Sequence, residues 1–400
     1  MSISFIADIT VTASTLRDGY TDSSNDEVYV VNSAGPDLRV FNLTTQAQRG
    51  STTTVLASPT GITFLNSSSS VVVSGTSATY DLVENASLYR QNYSSGNTTF
   101  AIDKGQQISG NTSSAIAFAS SSTAGNLIKF SSSFPTPVST LTPSWLSGGN
   151  ATTIILKGSN WLVGTTKGQI VEIDSNSNQI DILTLKDSSL TNTSLETPII
   201  SGLSLSGDTL AIMTVEGKFY VYSWSAKTKL YETIFGDSAS ATGRGTVLCE
   251  AASGFCVFAQ NKTALNNNVV VECDFTQSPP SFRDTLFLDA TGIVPASGIN
   301  TSTGRCWVIQ QTANKIRLFD VTPRTTTGLS SVIQRPAGTN VKGRLIRLID
   351  NGVGDISVEL DTAIDNASTS FPTSTGETII EIAMNGSGVD EQYGVSTYTT

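Results

Sequence analysis

Short apolar segments alternate with small polar turns along most of this chain, and one hairpin pattern recurs seven times. In each copy an apolar segment is followed by a turn and then by a segment in which apolar and polar residues alternate. Such alternation is typical of β-strands, because successive side chains point to opposite faces of a sheet. The clearest copies are Trp161–Asp174 (WLVGTTKGQIVEID), Leu210–Ser223 (LAIMTVEGKFYVYS) and Cys306–Asp320 (CWVIQQTANKIRLFD). Looser copies begin at Val28, Val71, Ile116 and Phe255.

The spacing of the seven copies predicts the architecture. Their second strands centre near Val40, Thr79, Ile128, Ile170, Phe219, Val270 and Ile316. The period is therefore roughly 40 to 50 residues, and a repeat of that length made only of strands is typical of a propeller blade. We predict an all-β fold, a β-propeller of seven four-stranded blades followed by a C-terminal β extension. Trp161 and Trp307, at equivalent positions at the start of the first strand of their hairpins, are predicted to pack between blades.

The predicted blades lie near residues 4–56, 60–94, 112–142, 151–186, 198–235, 245–289 and 292–334. Residues 1–335 then form the propeller, with 329–335 (LSSVIQR) as the outer strand of the last blade. Residues 336–400 form a β-rich acidic extension or a segment that closes the ring. The N-terminal residues carry Asp8 inside an apolar stretch and lack a basic leader, which favours a strand over a signal peptide.

This layout resembles that of WD-repeat and related seven-bladed propellers over about Ser4–Arg335. Where a WD repeat ends its third strand in Trp-Asp, this chain has Phe319-Asp320 and Ile173-Asp174. The Gly-His pair that opens a WD repeat cannot occur, because the chain contains no histidine. The resemblance therefore implies a ring of blades and transfers no functional residue.

Composition narrows the classes of function. Charged residues make up 14% of the chain, against roughly 25% in typical soluble domains, and Ser, Thr and Asn are abundant instead. The net charge of −10 argues against nucleic-acid binding, which needs a basic surface. No run of 18 apolar residues is present, so we expect no membrane-spanning helix. A polar, weakly charged chain of this kind is typical of secreted proteins and of virus or phage particles.

The absence of histidine also limits the chemistry. It removes the Ser-His-Asp triad, the Cys-His pair and most zinc sites. We therefore predict no enzymatic activity, no catalytic or metal-binding residues and no cofactor. Asp174, Asn176 and Asn178 resemble the start of a calcium loop, but a polar hairpin turn explains them equally.

The cysteines and the Asn-x-Ser/Thr sequons each allow two interpretations. Cys249 and Cys256 flank a turn and could form a disulfide, or they and Cys273 and Cys306 could be buried reduced thiols. Asn-x-Ser/Thr sequons occur twelve times. They indicate either surface glycosylation or the frequency expected by chance in a chain so rich in these residues.

Charge is segregated near the C-terminus. Residues 305–349 contain eight basic residues and one acidic residue, whereas residues 350–400 contain nine acidic residues and no basic one. The two blocks could pair within one subunit, or dock one subunit on the next through complementary potential. The predicted interaction residues are Arg335, Lys342, Arg344, Arg347, Asp350, Asp355, Glu359 and Asp361.

These features favour a non-catalytic structural and interaction protein. The favoured role is a virion component, phage tail or capsid-associated, that is assembled in the host cytoplasm and uses a rigid propeller as a platform. This follows partly from the occurrence of propellers in phage tail assemblies, which is an analogy of fold. Its partners would be other structural subunits or copies of itself, with no nucleic acid and no membrane, and with a surface carbohydrate as a further candidate. One alternative is an extracellular glycoprotein or adhesin, and another is a propeller hydrolase using a carboxylate pair.

Overall fold

A computed structural model gives the fold of the chain. It describes residues 2–12, 15–66, 70–75, 79–84, 88, 90–94, 108–131, 138–185, 199–214, 218–234, 245–250, 255–262, 267–275, 281–288, 296–300, 302–311, 313–322, 325–334, 345–350, 355–360, 369–372, 378–381 and 392–399. From residue 245 to 288 and from 325 onwards the description covers the backbone, with the side chains of Cys273 and Phe275 in addition. The chain divides into two compact units, Ser2–Val321 and Thr322–Thr400 together with Met1.

The larger unit contains seven four-stranded antiparallel sheets within its described residues. Sheet 1 has β2 (Leu16–Asp22), β3 (Glu27–Asn32), β4 (Asp37–Asn42) and β5 (Thr53–Thr54). Sheet 2 has β6 (Pro59–Asn66), β7 (Ser70–Gly75), β8 (Thr79–Glu84) and β9 (Arg90–Ser94). Sheet 3 has β10 (Ile108–Asn111), β11 (Ile116–Ser120), β12 (Leu127–Ser131) and β13 (Val138–Leu141), and a 3-10 turn at Ser144–Leu146 follows it.

The remaining four sheets continue this order along the chain. Sheet 4 has β14 (Ala151–Lys157), β15 (Asn160–Thr165), β16 (Gln169–Ile173) and β17 (Gln179–Thr184). Sheet 5 has β18 (Ile200–Ser206), β19 (Thr209–Thr214), β20 (Lys218–Ser223) and β21 (Thr228–Ile234). Sheet 6 has β22 (Gly245–Glu250), β23 (Phe255–Lys262), β24 (Asn267–Asp274) and β25 (Ser281–Leu288). Sheet 7 has β26 (Ser297–Asn300), β27 (Arg305–Gln310), β28 (Lys315–Thr322) and, from the other end of the chain, β1 (Ser2–Thr10).

The sheets are arranged as the blades of a propeller. The first strands of neighbouring sheets contact one another around a closed ring, from β2 through β6, β10, β14, β18, β22 and β26 back to β2. Apolar clusters fill the seams between sheets 7 and 1, 1 and 2, 2 and 3, 3 and 4, and 4 and 5. The structure thus describes six blades by their side-chain packing and a seventh four-stranded sheet by its backbone. The predicted all-β propeller with four-stranded blades is confirmed.

The hairpin pattern of the sequence corresponds to the second and third strands of each sheet. Both strands lie between two neighbouring sheets, so apolar side chains are needed on both faces. In β3, for example, Val28 and Val30 pack toward sheet 7, while Tyr29 and Val31 pack toward sheet 2. The predicted packing of both tryptophans between blades is also found. Trp161 stacks edge-on against Phe118 of sheet 3, with ring centroids 4.8 Å apart.

The ring is closed by the N-terminal strand, which corrects two of the predicted blade limits. The prediction gave residues 4–56 to the first blade and 329–335 to the last, but β1 is the outer strand of sheet 7. Residues Thr325–Gln334 form β29, which pairs with β34 (Gln392–Thr399) in the C-terminal unit. The physical reason lies in β28, where Lys315 and Arg317 need an acidic partner. Asp8 of β1 supplies it, while residues 325–334 contain no acid.

Two further limits differ from the prediction. Sheet 3 begins at Ile108, four residues before the predicted limit of 112, because its short first strand (ISGN) carries little apolar signal. The propeller unit ends at Val321 instead of 335. The C-terminal unit contains two three-stranded sheets within its described residues, β29–β34–β33 and β30–β31–β32. Their remaining strands are β30 (Leu345–Asp350), β31 (Asp355–Leu360), β32 (Thr369–Pro372) and β33 (Thr378–Glu381).

Candidate interaction surface

Half of the predicted interaction residues fall on one hairpin of the C-terminal unit. Arg347 and Asp350 lie on β30, and Asp355 and Glu359 lie on β31. The register places Arg347 opposite Glu359, whereas Asp350 is opposite an isoleucine. Opposite charges at directly facing positions stabilise a strand pair, so the hairpin favours pairing within the subunit at this one position. The others, Arg335, Lys342, Arg344 and Asp361, lie outside the described residues. Docking through this charged region stays a prediction.

Buried polar links join neighbouring blades of the propeller, and the link between sheets 4 and 5 is centred on Glu172. Its Oε2 accepts hydrogen bonds from Lys157 Nζ at 2.7 Å and from Trp224 Nε1 of sheet 5 at 3.1 Å. Its Oε1 accepts from Asn160 Nδ2 at 2.8 Å. Burial opposes ionisation, but the hydrogen bonds from Lys157 and Asn160 outweigh it, and the pKa of Glu172 is lowered. The carboxylate is therefore charged and fully engaged in holding two blades together.

Lys227 forms a second link across the same seam. Its Nζ donates to Asp181 Oδ2 of sheet 4 at 2.5 Å and lies 3.4 Å from the centroid of the Trp224 ring. A cation over an indole face adds attraction to the ion pair. Trp224 thus contacts an anion through its N–H and a cation through its ring, which fixes the end of the third strand of sheet 5.

The seam between sheets 7 and 1 is linked in a similar way. Asn300 Nδ2 of sheet 7 donates to Asp26 Oδ1 of sheet 1 at 2.8 Å, and Thr44 Oγ1 donates to Asp26 Oδ2 at 2.5 Å. Arg305 Nη1 then donates to Thr44 Oγ1 at 2.5 Å. Asp26 lies in the turn between β2 and β3, so this turn binds both its own sheet and the neighbouring one.

Asp18 is an unusual carboxyl group at the seam between sheets 1 and 2. Its Oδ1 accepts the N–H of Gly19 at 2.9 Å, and its Oδ2 accepts the N–H of Ile62 on β6 at 3.0 Å. Both donors are backbone amides, and burial raises the pKa of this carboxyl to about 7. The innermost strands of two blades are therefore joined by a side chain that titrates near neutrality.

The turn between the first and second strands explains two of the sequons, those at Asn111 and Asn300. Asp22, Asn111 and Asn300 end the first strands of sheets 1, 3 and 7. At each, the side-chain oxygen accepts the N–H two residues further on, at 2.9 to 3.0 Å. Such Asx turns favour Asn or Asp followed by small polar residues, and this combination creates an Asn-x-Ser sequence. Asp174, the first residue of the segment that resembles a calcium loop, closes a hairpin turn in the same way and accepts the N–H of Asn176 at 2.8 Å.

Side chains of three sequon asparagines are held inside the fold. The amide nitrogen of Asn300 donates to Asp26, that of Asn150 donates to the Ser121 carbonyl at 2.9 Å, and that of Asn111 reaches a carbonyl of sheet 4 at 3.5 Å. Asn111 and Asn300 are also buried. A glycan on either would be incompatible with this packing. Four sequon asparagines have described side chains, and the fourth, Asn42, is half-buried.

The outer strands of sheets 4 and 5 each expose one apolar side chain beside charged ones, and the ion pair between Lys227 and Asp181 joins the two strands. Ile180 and Leu230 are the bulge residues of the outer strands β17 and β21, where the register skips one residue. Their exposed fractions are 52% and 44%. Bulges are used at sheet edges to prevent edge-to-edge pairing. We name this surface the rim patch, and it consists of Ile180, Asp181, Lys227, Lys229 and Leu230.

The rim patch was not predicted from the sequence. Ile180 and Leu230 are residue types common in buried strands, so the sequence does not reveal that they are exposed. Each is turned outward by the bulge in its strand. Within the described residues there is no group of three or more potential metal ligands and no helix long and apolar enough to span a membrane.

Comparisons with known proteins establish the fold. No family model and no curated protein matches the chain. The β-propeller domain of Cps50 (Swd1) from Myceliophteria thermophila is similar over 79% of this chain and 100% of its own length, at 12% identity and a TM-score of 0.59. A chain of the mitotic checkpoint complex is similar over 80% of this chain and 92% of its own, at 10% identity and a TM-score of 0.60. At such low identity the likeness shows a β-propeller and nothing about function. Neither protein comes from a phage particle, so the expected resemblance to phage components gains no support.

Proposed function

We propose that the protein is a non-catalytic scaffold in which a rigid ring of seven blades, including β22–β25, holds protein partners. The observation that carries this proposal is the use of carboxylates within the ring. Glu172, Asp26 and Asp8 each accept hydrogen bonds across or along a seam between strands of the ring. A hydrolase using a carboxylate pair needs such groups free to face a substrate. Here Glu172 and Asp26 fix neighbouring blades relative to one another, and Asp8 fixes β1 to β28 within sheet 7.

The partners are proteins. The mitotic checkpoint complex is a multi-subunit assembly that contains a similar propeller, which supports protein partners for this chain by analogy of fold. The rim patch supplies an apolar contact area flanked by ion pairs, and apolar side chains surrounded by polar groups are typical of protein interfaces.

The rim patch can be tested with single substitutions on the same two strands. We expect Ile180→Glu and Leu230→Glu to weaken co-purification of the native partners without changing thermal stability, because both side chains are half exposed. Thr184→Glu and Thr228→Glu, at exposed positions on β17 and β21, are matched controls and should leave co-purification intact. Equal loss in all four variants would argue for a general charge effect instead.

The specific setting that we propose is a virion, as a phage tail or capsid-associated component in contact with other structural subunits or with copies of itself. The low fraction of charged residues supports this. The sequon asparagines that make hydrogen bonds within the fold support this setting further. They explain some of the sequons without glycosylation, which weakens the case for a secreted glycoprotein. The mass of the native protein separates the two settings. We expect no mass beyond that of the unmodified polypeptide, whereas added mass at Asn42 or another sequon would favour the extracellular alternative.

The charged C-terminal segment needs its own experiment. If Arg347 and Glu359 pair within the subunit, Arg347→Glu should destabilise the C-terminal unit and the double exchange Arg347→Glu with Glu359→Arg should restore it. If the segment instead docks on another subunit, the double exchange should restore neither stability nor co-assembly. Deleting residues 350–400 should abolish joining of the native complex in the docking case only.

A further inference from the structure

Three cysteines form a row across sheet 6. The register places Cys249 of β22 opposite Cys256 of β23, and Cys256 opposite Cys273 of β24. This alignment is not evident from the sequence, because the turns that separate the three residues differ in length. Cys273 is buried and its thiol is free. The fourth cysteine, Cys306, is the second residue of β27, as Cys256 is of β23, but it lies opposite Ile299 and Phe319.

The spacing within the row permits two disulfides, one at a time. Residues directly opposite each other on antiparallel strands share a face, with Cα atoms about 4.5 to 5.5 Å apart. A disulfide joins residues whose Cα atoms are about 4.4 to 6.8 Å apart, so each neighbouring pair is within range. Cys249 and Cys273 are two strand spacings apart, about 9.5 Å, and cannot be joined directly.

The same spacing excludes one metal ion bound by all three thiolates. With metal–sulfur bonds of about 2.3 Å, two sulfurs on one ion are at most about 4.6 Å apart. The two outer cysteines are separated by about twice that distance, more than their short side chains can close. The row therefore fits thiol–disulfide chemistry.

We propose that sheet 6 contains a thiol–disulfide exchange site in which Cys256 is shared between two alternative disulfides, with Cys249 and with Cys273. The oxidant is a low-molecular-weight disulfide such as oxidised glutathione. The Cys256 thiolate attacks it, which forms a mixed disulfide and releases one glutathione thiolate. A neighbouring cysteine thiolate then attacks the Cys256 sulfur and releases the second glutathione thiolate. In total two protein thiols become one disulfide, and the oxidant is reduced to two thiols.

The third cysteine then acts on the disulfide already formed. If Cys256 is bonded to Cys249, the Cys273 thiolate can attack the Cys256 sulfur and displace Cys249 as a thiolate, with no net oxidation. Cys306 lies opposite Ile299 and Phe319 and faces no cysteine, so it cannot take part in this exchange. It is a natural internal control.

The test is to count the thiols of the full-length protein after equilibration with oxidised glutathione, by alkylation under denaturing conditions and mass measurement. Wild type should lose two of its four thiols, and Cys306→Ala should lose two of three. Cys249→Ala and Cys273→Ala should each still lose two, because Cys256 keeps one partner. Cys256→Ala should keep all three.

Several results would overturn the proposal. These are retention of four thiols in wild type, loss of two thiols in Cys256→Ala, or retention of all three in either Cys249→Ala or Cys273→Ala. Peptide mapping of oxidised wild type gives a readout that does not depend on any variant folding. Every cross-linked peptide should contain Cys256, joined to Cys249 or Cys273, and a cross-link that includes Cys306 would contradict the assignment.

Discussion

Replacing Asp8 by asparagine should weaken the closure of the ring. Its carboxylate accepts from Arg317 Nε at 2.7 Å and Nη2 at 2.9 Å, and from Lys315 Nζ at 3.0 Å. The side chains of Arg317 and Asp8 are only 8% and 17% exposed. Breaking a buried ion pair costs about 3 to 5 kcal/mol, because the remaining charge is left without a partner. Since Asp8 keeps some solvent, we expect the free energy of unfolding to fall by about 2 to 3 kcal/mol.

The assay is urea denaturation followed by circular dichroism, with hydrogen exchange of the β28 amides as a local readout. Lys229→Gln is the control, because its ion pair with Glu232 has a lysine 46% exposed and should be worth less than about 1 kcal/mol. If Asp8→Asn and Lys229→Gln lower stability equally, or if the β28 amides exchange no faster, the explanation is wrong.

The pH dependence of the same variant gives a second check. Hydrogen bonding to Arg317 lowers the pKa of Asp8 below its ordinary value of 3.8. The folded state therefore holds this proton less tightly than the unfolded state, and the ion pair stabilises the fold fully above about pH 4. Its contribution is lost as the pH falls through the lowered pKa. Wild type and Asp8→Asn should converge in stability at the acid end, and a difference that persists there would exclude ionisation as the cause.

Two other substitutions test single packing features. Burial raises the pKa of Asp18 to about 7 from 3.8, so the folded state binds the proton more tightly and stability should fall by about 3 kcal/mol as the pH rises from 4 to 7. Asp18→Asn should flatten that slope in denaturant titrations, and an unchanged slope would assign it to other groups. Gly298→Ala would place a Cβ 2.4 Å from Cζ2 of Trp307, and such overpacking should cost about 1 to 3 kcal/mol in calorimetry. Gly35→Ala, with its nearest atom at 3.8 Å, is the matched control, and an equal loss there would exclude the clash with Trp307.

The central hairpins of the sheets were predictable because their buried strands are rich in apolar residues. The predicted centres near Val40, Ile170 and Phe219 all lie on third strands, where both faces meet a neighbouring blade. First strands carry a weaker signal, since they are rich in Gly, Ser and Thr. Residues Ile108–Asn111 (ISGN) show this, and the start of sheet 3 was accordingly placed too late.

Contacts between residues far apart in sequence were beyond prediction. The indole of Trp224 binds Glu172 across 52 residues, and neither residue belongs to a motif that would reveal the pair. The position of a tryptophan within its strand also decides which neighbouring sheet it contacts. Trp161 is the second residue of β15 and packs against sheet 3, while Trp307 is the third residue of β27 and donates to Thr21 of sheet 1 at 2.8 Å. Both were predicted as packed tryptophans, but which neighbour each contacts depends on this offset.

The closing of the ring by its first strand has a consequence for synthesis. Residues Ser2–Thr10 leave the ribosome before the rest of the ring, but Arg317, the ionic partner of Asp8, follows about 300 residues later. At roughly 5 to 20 residues per second, β1 must remain without its partner for at least about fifteen seconds. During that interval β1 is an exposed edge able to pair with another chain. Slower translation should therefore raise the fraction of misassembled chains, and a circular permutant that starts at β2 and carries β1 after β28 should be relieved of that dependence.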